Sequence, residues 1–370
     1  MTRPKIWTLD DLVLENRIKL GRGDVISKKD IAAIPGNFPI YSSAQEKNGV
    51  FGFYGKYMFD EELITWSVDG GGKLFYRPKH KFSVTNVGGT LRILDPSFLN
   101  IRYLYFVLTY LHSYIKFDWV FKAHPSVLRK VYNTIPIPDL NTQLNLVEKL
   151  DKVFAEFDSL EKNLQLKEEK TNQLIQSILS AAFTDIEDLD INVEKLEDVC
   201  LITRGKTITK ATSVEGDVPV IGGGLGPTYY HNIANVKPPV ITVSASGANA
   251  GFVNFWDEPI WASDCSTIIE KPGSPAIIGY IYKFLQSSQV FINSKLRRGS
   301  AQPHVYSSDI GQLRIPLPSI NEQKQIVEKL DEAFAEIDKL KKQISIEKEQ
   351  ISSLRKSILS NAFNFEEKAA

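Results

Sequence analysis

Cysteine is nearly absent from this chain, and the shortage removes several classes of protein at once. Two thiols in 370 residues, Cys200 and Cys265, cannot build a disulfide framework or a four-cysteine zinc site. Histidine is scarce too. His80, His112, His124, His231 and His304 are scattered, and none falls in an HExxH or Cys-x-x-Cys/His pattern, so no bound metal is expected. No apolar run approaches the roughly 18 residues of a membrane span; the greasiest stretch, residues 98–111, is broken by Asn100 and Arg102. The opening residues lack an apolar segment followed by a small-residue cleavage site, so a cytoplasmic chain is expected, with no membrane partner. Core-forming residues are not in short supply. Hydrophobic residues make up 43% and aromatics 11%, which excludes wholesale disorder and suits two or three domains at about 150 residues each.

Catalytic signatures are missing as well. Gly205-Lys206-Thr207 resembles the end of a phosphate-binding loop, but that loop needs a glycine where Cys200 stands. Gly222 to Gly226 and Gly70 to Gly72 fail the dinucleotide-binding spacing, because the third glycine would fall on Pro227, Tyr229 or Phe75. These are read as turns between strands. No GxSxG elbow occurs. Neither Asn-Pro-Pro-Tyr nor Asp-Pro-Pro-Tyr is present, and no carboxylates pair at nuclease spacing. A non-catalytic chain without a cofactor of its own is the expectation.

Charge of one sign is lacking overall, since 44 Lys and Arg balance 44 Asp and Glu. The balance hides a division. Residues 1–139 carry a net +6, residues 140–194 carry −7, residues 195–318 carry +2 and residues 319–370 carry −1. The N-terminal excess has the right sign for a polyanion.

What the sequence does have is a repeat. Ile135-Pro-Ile-Pro138 returns as Ile315-Pro-Leu-Pro318, and at the same offset Asn141 and Gln143 return as Asn321 and Gln323. VEKLDKVFAEFDSL (147–160) returns as VEKLDEAFAEIDKL (327–340), and SILSAAF (177–183) as SILSNAF (357–363). Residues 135–183 share 24 of 49 positions with 315–363, far above chance, so the chain is a duplication. Fainter echoes extend upstream: Gly36, Pro39 and Ser43 precede Gly216, Pro219 and Gly223 by that same offset, and Ile64-Thr65 answers Ile241-Thr242. Each half is a variable globular part followed by a closely matched helical part.

The helical parts show apolar residues every seven positions, the coiled-coil signal. The second seam is Leu330, Ile337, Ile344, Ile351 and Ile358, flanked by Val327 and Phe334. The first is Leu150, Phe157, Leu164 and Ile178, flanked by Val147 and Phe154 and interrupted by Thr171. No Gly or Pro occurs from 141 to 183 or from 321 to 363, and Asp139, Asn141, Ser319 and Asn321 are candidate N-caps. Each helix could run about 60–65 Å at 1.5 Å per residue. A helical hairpin within each copy would use the same residues, but two matched seams favour pairing of the two helices into a stiff spacer.

The globular parts, rich in Gly, Pro and β-formers over residues 51–66, 74–93, 218–243 and 251–269, predict mixed α/β or mostly β domains, with short helices at 100–116 and 275–291. The boundaries fall at 1–138, 139–185, 186–318 and 319–365, with linkers at the IPxP motifs and the acidic stretch 185–190. Basic and amide side chains lie among aromatics in the turn-rich segments, and these residue types hold phosphates and read base edges. In the first part they are Lys28, Lys29, Ser42, Ser43, Gln45, Asn48, Lys73, Arg77, Lys79, His80, Lys81, Asn86 and Lys122. In the second they are Arg204, Lys206, Thr207, Lys210, Tyr229, Tyr230, Ser246, Asn249, Lys295, Arg297, Arg298, Gln302 and His304.

The twice-occurring IPxP, Asn-x-Gln, VEKLD, FAE and SILS-x-AF element, each copy after a variable part, resembles the DNA-specificity subunit of type I restriction–modification systems. The openings also fit: Ile6-Trp7-Thr-Leu-Asp-Asp-Leu12 and Val193-Glu-Lys-Leu196-Glu-Asp-Val199, each followed by glycine and basic residues. So do Pro39-Ile-Tyr41 with Asn48-Gly49, and Ala301-Gln-Pro-His304. The resemblance covers essentially the whole chain. It implies an α+β protein: two mixed α/β target-recognition domains held apart by two long antiparallel coiled-coil helices, in a pseudo-twofold tandem repeat with one copy in each half of the chain. Each domain would read one half of a split, asymmetric site in double-stranded DNA. The helices would dock two modification subunits that carry S-adenosylmethionine and methylate adenine, and restriction subunits would join the full complex. One departure is that the first part has Ala123-His124-Pro125 where the second has Ala301-Gln-Pro-His304, so a role for His304 does not transfer to His124. A coiled-coil scaffold whose domains bind protein or carbohydrate is the competing class, and a fused methyltransferase is opposed by the missing motifs.

Overall fold

The computed structural model describes residues 4–43, 47–69, 71–117, 121–187, 191–299 and 301–363. The chain packs into two units, Met1–Leu164 with Ile346–Ala370, and Gln165–Ser345.

The first unit holds a six-stranded sheet in the order Ile18–Arg22, Gly88–Ile93, Phe59–Ser67, Leu74–Val84, Phe38–Tyr41, Val50–Tyr54. All neighbours are antiparallel except Phe38–Tyr41, which runs parallel to Leu74–Val84. Strand alternation sends Ile64 and Trp66 to one face, where they pack with Leu91 and with Tyr103, Leu104, Val107 and Leu108 of the helix Ile101–His112. Asn100 caps that helix through Tyr103 N–H at 2.9 Å. Leu63 points to the opposite face, into a smaller core with Tyr41, Phe82 and Val84.

The second unit repeats this plan strand for strand. Cys200–Arg204, Cys265–Glu270, Val240–Ser244 and Val253–Trp256 form one sheet, and Pro227–His231, Val218–Ile221 and Trp261–Ala262 form another. The long strand Leu74–Val84 of the first unit corresponds to Val253–Trp256 plus Trp261–Ala262, with the break at Asp257, Glu258 and Pro259. Ile241 and Val243 face the helix Ile278–Ser287. Val240 faces the smaller core with Ile221, Ile260, Ala262 and Cys265. The two cysteines are buried and unpaired, and burial pushes both thiols up to about 12, so they are packing groups.

Each IPxP motif is a short strand. Ile135–Ile137 pairs with Lys5–Trp7, and Arg314–Pro316 with Val193–Lys195. Helices of 48 and 44 residues follow, Leu140–Glu187 and Ile320–Phe363, about 72 and 66 Å long at 1.5 Å per residue. Neither is a hairpin. Asp139 accepts from Thr142 N–H at 3.0 Å, and Ser319 forms a reciprocal cap with Glu322. Asn141 and Asn321 are exposed in the first turn.

The repeated glutamine is the joint between sheet domain and helix. Gln143 is fully buried; its Oε1 accepts from Asn100 N–H at 2.9 Å, and its Nε2 donates to Phe98 and Pro138 carbonyls at 3.0 and 2.8 Å. Gln323 does the same with Ile277 N–H at 3.0 Å and the Pro275 and Pro318 carbonyls at 2.7 and 2.9 Å. Both amides are thereby satisfied by backbone alone.

The predicted seams are buried or half-buried along their length. Leu150, Leu164, Leu330, Ile337, Ile344 and Ile351 are buried, while Phe157, Ile178 and Ile358 are half-buried. Thr171 is also buried, its hydroxyl donating back to Lys167 O at 2.7 Å, which is how a polar residue survives in the seam. Within the first unit the helices lie antiparallel, with Leu150 and Phe154 in one core with Leu359 and Phe363, and Arg355 paired with Asp158 and Glu161. In the second unit Leu179 and Phe183 share a core with Leu330.

Candidate nucleic-acid interface

Loops beside the sheet bring a minority of the predicted residues together in each unit, Ser42, Ser43 and Lys122 in one and Ser246, Asn249, Arg297, Arg298 and His304 in the other, and they do so around the same backbone frame. In the first unit Ala123 N–H donates to Val68 O at 3.1 Å; in the second Val305 N–H donates to Ala245 O at 2.9 Å. This frame corrects the sequence alignment. Ala123 corresponds to Val305 rather than Ala301, so Lys122 stands where His304 stands, and Asp69 where Ser246 stands. His124 instead caps the helix Pro125–Val131.

In the first unit Lys122 reaches Asp69 at 2.9 Å. Ser43 is absorbed into the frame: its hydroxyl donates to Val87 O, its carbonyl accepts from Ser67 Oγ at 3.1 Å, and Asp69 N–H reaches its Oγ at 3.4 Å. The Ser42 hydroxyl accepts from Thr85 at 2.8 Å. Gln45 lies outside the described residues. Asn48 is exposed at φ 55°, and with Lys73 it lines a cleft of about 840 Å³ alongside Tyr105, Asp158 and Arg355. Lys73 lies 5.4 Å from the Phe75 ring centroid. Lys28 and Lys29 are exposed at the start of the helix Lys28–Ala33. Lys79 and Lys81 are exposed beyond Pro78, the latter over the Tyr57 ring at 4.8 Å. His80 between them is bonded to the Tyr41 hydroxyl at 3.0 Å and stacked on Phe82. The carbonyl of Asn86 accepts from Arg22.

Arg77 is a correction. It is 1% exposed, so it is not a surface cation. Its guanidinium lies 3.6 Å from the Tyr41 ring centroid and 4.7 Å from that of Phe75, and its Nε donates to Thr65 Oγ1 at 2.9 Å. Its two terminal nitrogens have no hydrogen-bond partner, and burial lowers its pKa to about 10, so it remains charged at neutral pH. The repeat explains the placement. Arg77 stands opposite Leu63 as Trp256 stands opposite Val240, and the Trp256 indole donates to Thr242 Oγ1 at 2.8 Å. One copy fills this slot with an indole, the other with a flat cation held between rings.

In the second unit Ser246, Arg298 and His304 are bridged through backbone, and Ser246 Oγ donates to Asp264. Arg298 pairs with Asp309 at 2.8 Å and lies over Tyr306, which also stacks with His304. Arg297 is turned inward, donating to Ala248 O at 2.6 Å, and so holds the turn that carries Asn249. Lys295 and Gln302 are exposed on either side. Arg204, Lys206, Thr207 and Lys210 are exposed on a separate stretch, tied down by Trp261 Nε1 to Lys206 O at 2.8 Å. The Tyr229 hydroxyl is spent on Ile208 O at 2.8 Å, whereas Tyr230 is exposed.

Sequence reasoning missed Asp69, Asp264, Asp309 and Tyr306. Each carboxylate neutralises or positions a cation or hydroxyl that it did find; Asp69 and Asp264 lie in glycine-rich or serine-rich turns, and Asp309 in the short helix Ser307–Gly311. Among the described residues no cluster of three or more His, Cys, Asp or Glu could hold a metal, and no helix is long and apolar enough to cross a membrane.

The type I restriction modification DNA specificity domain family matches residues 13–169 and again 189–349. A putative type I specificity subunit of Mycoplasma pneumoniae is 26% identical over 332 residues, 86% of each chain. The MjaVIII specificity subunit of Methanocaldococcus jannaschii is 24% identical over 343 residues, covering 80% of this chain and 76% of its own. A solved chain from a study of complex assembly and conformational transition in the type I restriction–modification system superposes with a TM-score of 0.70 at 16% identity, over 98% of both chains.

Proposed function

The chain belongs to the type I restriction–modification DNA specificity family, and from that premise we propose how its two domains divide the work. It is the DNA-recognising subunit of such a system, and each sheet domain reads one half of a bipartite, asymmetric site. One observation carries this division: two copies of one frame present different side chains at their loop ends, Asp69 and Lys122 in one and Ser246 and His304 in the other. Identical domains would read identical half-sites; a shared frame with changed side chains reads different ones.

The exposed cations Lys28, Lys29, Lys79, Lys81, Lys206, Lys210 and Lys295 supply phosphate contacts, and the loop-end groups supply base contacts. Arg298 and Lys122, each held by a carboxylate, are oriented rather than free to sweep, and that favours discrimination over simple attraction. The chain contributes no chemistry of its own. Two modification subunits dock on the long helices, one for each half of the repeat, and S-adenosylmethionine binds to them. Restriction subunits complete the assembly in the cytoplasm.

The test is exchange of residues 1–138 for the corresponding domain of another specificity subunit, followed by sequencing of methylated sites in cells. One half of the methylated motif should change and the other persist. If both halves changed together, the division of labour would be wrong. The scaffold alternative predicts no salt-dependent, sequence-selective DNA binding by the assembled complex.

A further inference from the structure

The turn at Gly205-Lys206-Thr207 lacks the spacing of a nucleotide-binding loop, yet it occurs in both halves of the chain. Arg22-Gly23-Asp24-Val25-Ile26-Ser27-Lys28 returns as Arg204-Gly205-Lys206-Thr207-Ile208-Thr209-Lys210. The arginine, glycine, isoleucine and final lysine are identical, and a serine answers a threonine. The backbone takes the same course in each copy. Gly23 N–H donates to Gly88 O at 3.1 Å and Asp24 N–H to Val84 O at 3.0 Å. Gly205 N–H donates to Cys265 O at 2.8 Å and Lys206 N–H to Ala262 O at 2.9 Å. A Cβ on Gly23 would run into the Val84 and Thr85 carbonyls, and one on Gly205 into those of Ala262 and Ser263, so only glycine lets the turn lie this close. Ser27 then forms a reciprocal cap with Asp30, and Thr209 bonds to Thr212 in the same place. Both turns border the frame that carries the diverged side chains. Arg22 Nε donates to Asn86 O at 2.8 Å, one residue before the Val87 carbonyl that takes the Ser43 hydroxyl. Ile208 N–H donates to Ser263 Oγ at 3.2 Å, one residue before the Asp264 carboxylate that takes the Ser246 hydroxyl.

We infer that this repeated turn is the phosphate grip that sets each domain on the duplex. Arg22 and Lys28 hold backbone phosphates in one half-site, Arg204 and Lys210 hold them in the other, and neither grip depends on base sequence. The inference rests on the DNA-reading function proposed above and names which cations the two half-sites share. The domains have diverged at Asp69 and Lys122 against Ser246 and His304, yet these four cations stand at matching places. Half-sites of different sequence have the sugar–phosphate backbone in common, and backbone contacts fix register without specifying bases. Charge separates the two roles. Arg22, Lys28, Arg204 and Lys210 are exposed, and among the described residues none of them pairs with a carboxylate, whereas Lys122 and Arg298 do. An unpaired cation keeps its whole charge for a polyanion, and a paired one gives up part of that attraction for orientation. Because the turn is bonded to the strand ends that carry the frame, a phosphate held there places the frame at a fixed height over the base edges. A modification subunit is also common to both halves. The turn, however, adjoins the diverged frame, while the copies agree best on the long helices, at 24 of 49 residues.

The experiment uses the full chain assembled with its modification subunits. Lys28→Ala and Lys210→Ala, each alone and joined by Arg22→Gln or Arg204→Gln in the same turn, are compared with the charge-keeping Lys28→Arg and Lys210→Arg. Equilibrium binding is measured to the methylated-motif duplex and to duplexes with one half-site scrambled, over a series of salt concentrations. Each alanine variant should bind every duplex about fivefold more weakly near physiological salt, with a salt slope shallower by about one. The added glutamine should repeat both effects, and the two turns should behave alike. The lysine-to-arginine variants should bind like the parent, and all variants should co-elute with the modification subunits. Unchanged affinity and slope would overturn the inference, as would an effect in one turn only. So would a loss confined to the intact motif, which would make these cations base readers, or lost co-elution with normal DNA affinity, which would make them a protein contact. Absence of salt-dependent DNA binding by the parent complex would overturn the DNA-reading function along with it.

Discussion

Arg77 and Trp256 show how one backbone slot accepts two chemistries when the fold supplies the same acceptor. The threonine hydroxyl two residues along the neighbouring strand takes an N–H from either side chain, while the walls differ. Tyr41 and Phe75 flank the guanidinium, and Ile221 and Asn254 hold the matching positions beside the indole. Arg77→Ala should therefore cost about 2–4 kcal/mol of stability, as for other large buried side chains. Arg77→Trp should cost less, since Thr65 can take an indole N–H as Thr242 does in the other copy. Chemical denaturation of the three proteins measures this, and DNA affinity of the folded variants should keep the parent's salt slope. A stable Arg77→Ala protein with a flattened slope would return Arg77 to the phosphate contacts. The sequence alone could not place this residue. A basic side chain between aromatics reads equally as a nucleic-acid contact and as a buried cation, and only the pleat, with Phe75 and Arg77 on one face, separates the two.

Among the elements, the long helices were the most legible and their anchors the least. Heptad spacing and the absence of Gly and Pro define a helix locally, so their extent followed to within a few residues. The glutamine joints did not follow. Gln143 sits in a first helical turn, where an amide ordinarily faces water, and its partners Phe98 and Asn100 lie far back along the chain, beside the start of another helix. The repeat marked the residue, and only the packed structure supplies its bonds. A similar compensation joins Asp151 to Arg102 and Asp331 to Lys283, because the matched aspartates meet cations that come from different turns of the preceding helix. Gln143→Ala or Gln323→Ala leaves two buried carbonyls and one N–H without partners, which should cost about 2–3 kcal/mol each. The effects should add, since each joint lies within its own unit. Urea midpoints of the single and double variants test this, and a loss under about 0.5 kcal/mol would mean that water replaces the amide.

At the scale of the whole molecule, the chain passes from one unit to the other only inside the two long helices, after Leu164 and after Ser345. No loop shares that passage, and we therefore expect helical rise to set the distance between the half-sites. Four residues inserted into each helix at these points lengthen both by about 6 Å at 1.5 Å per residue. Base pairs advance about 3.4 Å along the duplex, so the unspecified gap in the methylated motif should grow by one or two base pairs. Lengthening both helices together keeps their partners within each unit, since Leu150, Phe154 and Leu359 stay in one core and Leu179 and Leu330 in the other. Four residues are a stutter in a seven-residue repeat, so the seam unwinds locally at the insertion and resumes beyond it. Both half-site sequences should survive, because Asp69, Lys122, Ser246 and His304 are untouched. Sequencing of methylated sites in cells carrying the variant reads gap and half-sites in one measurement. Methylation at the parent spacing alone would show that something other than helix length sets the gap.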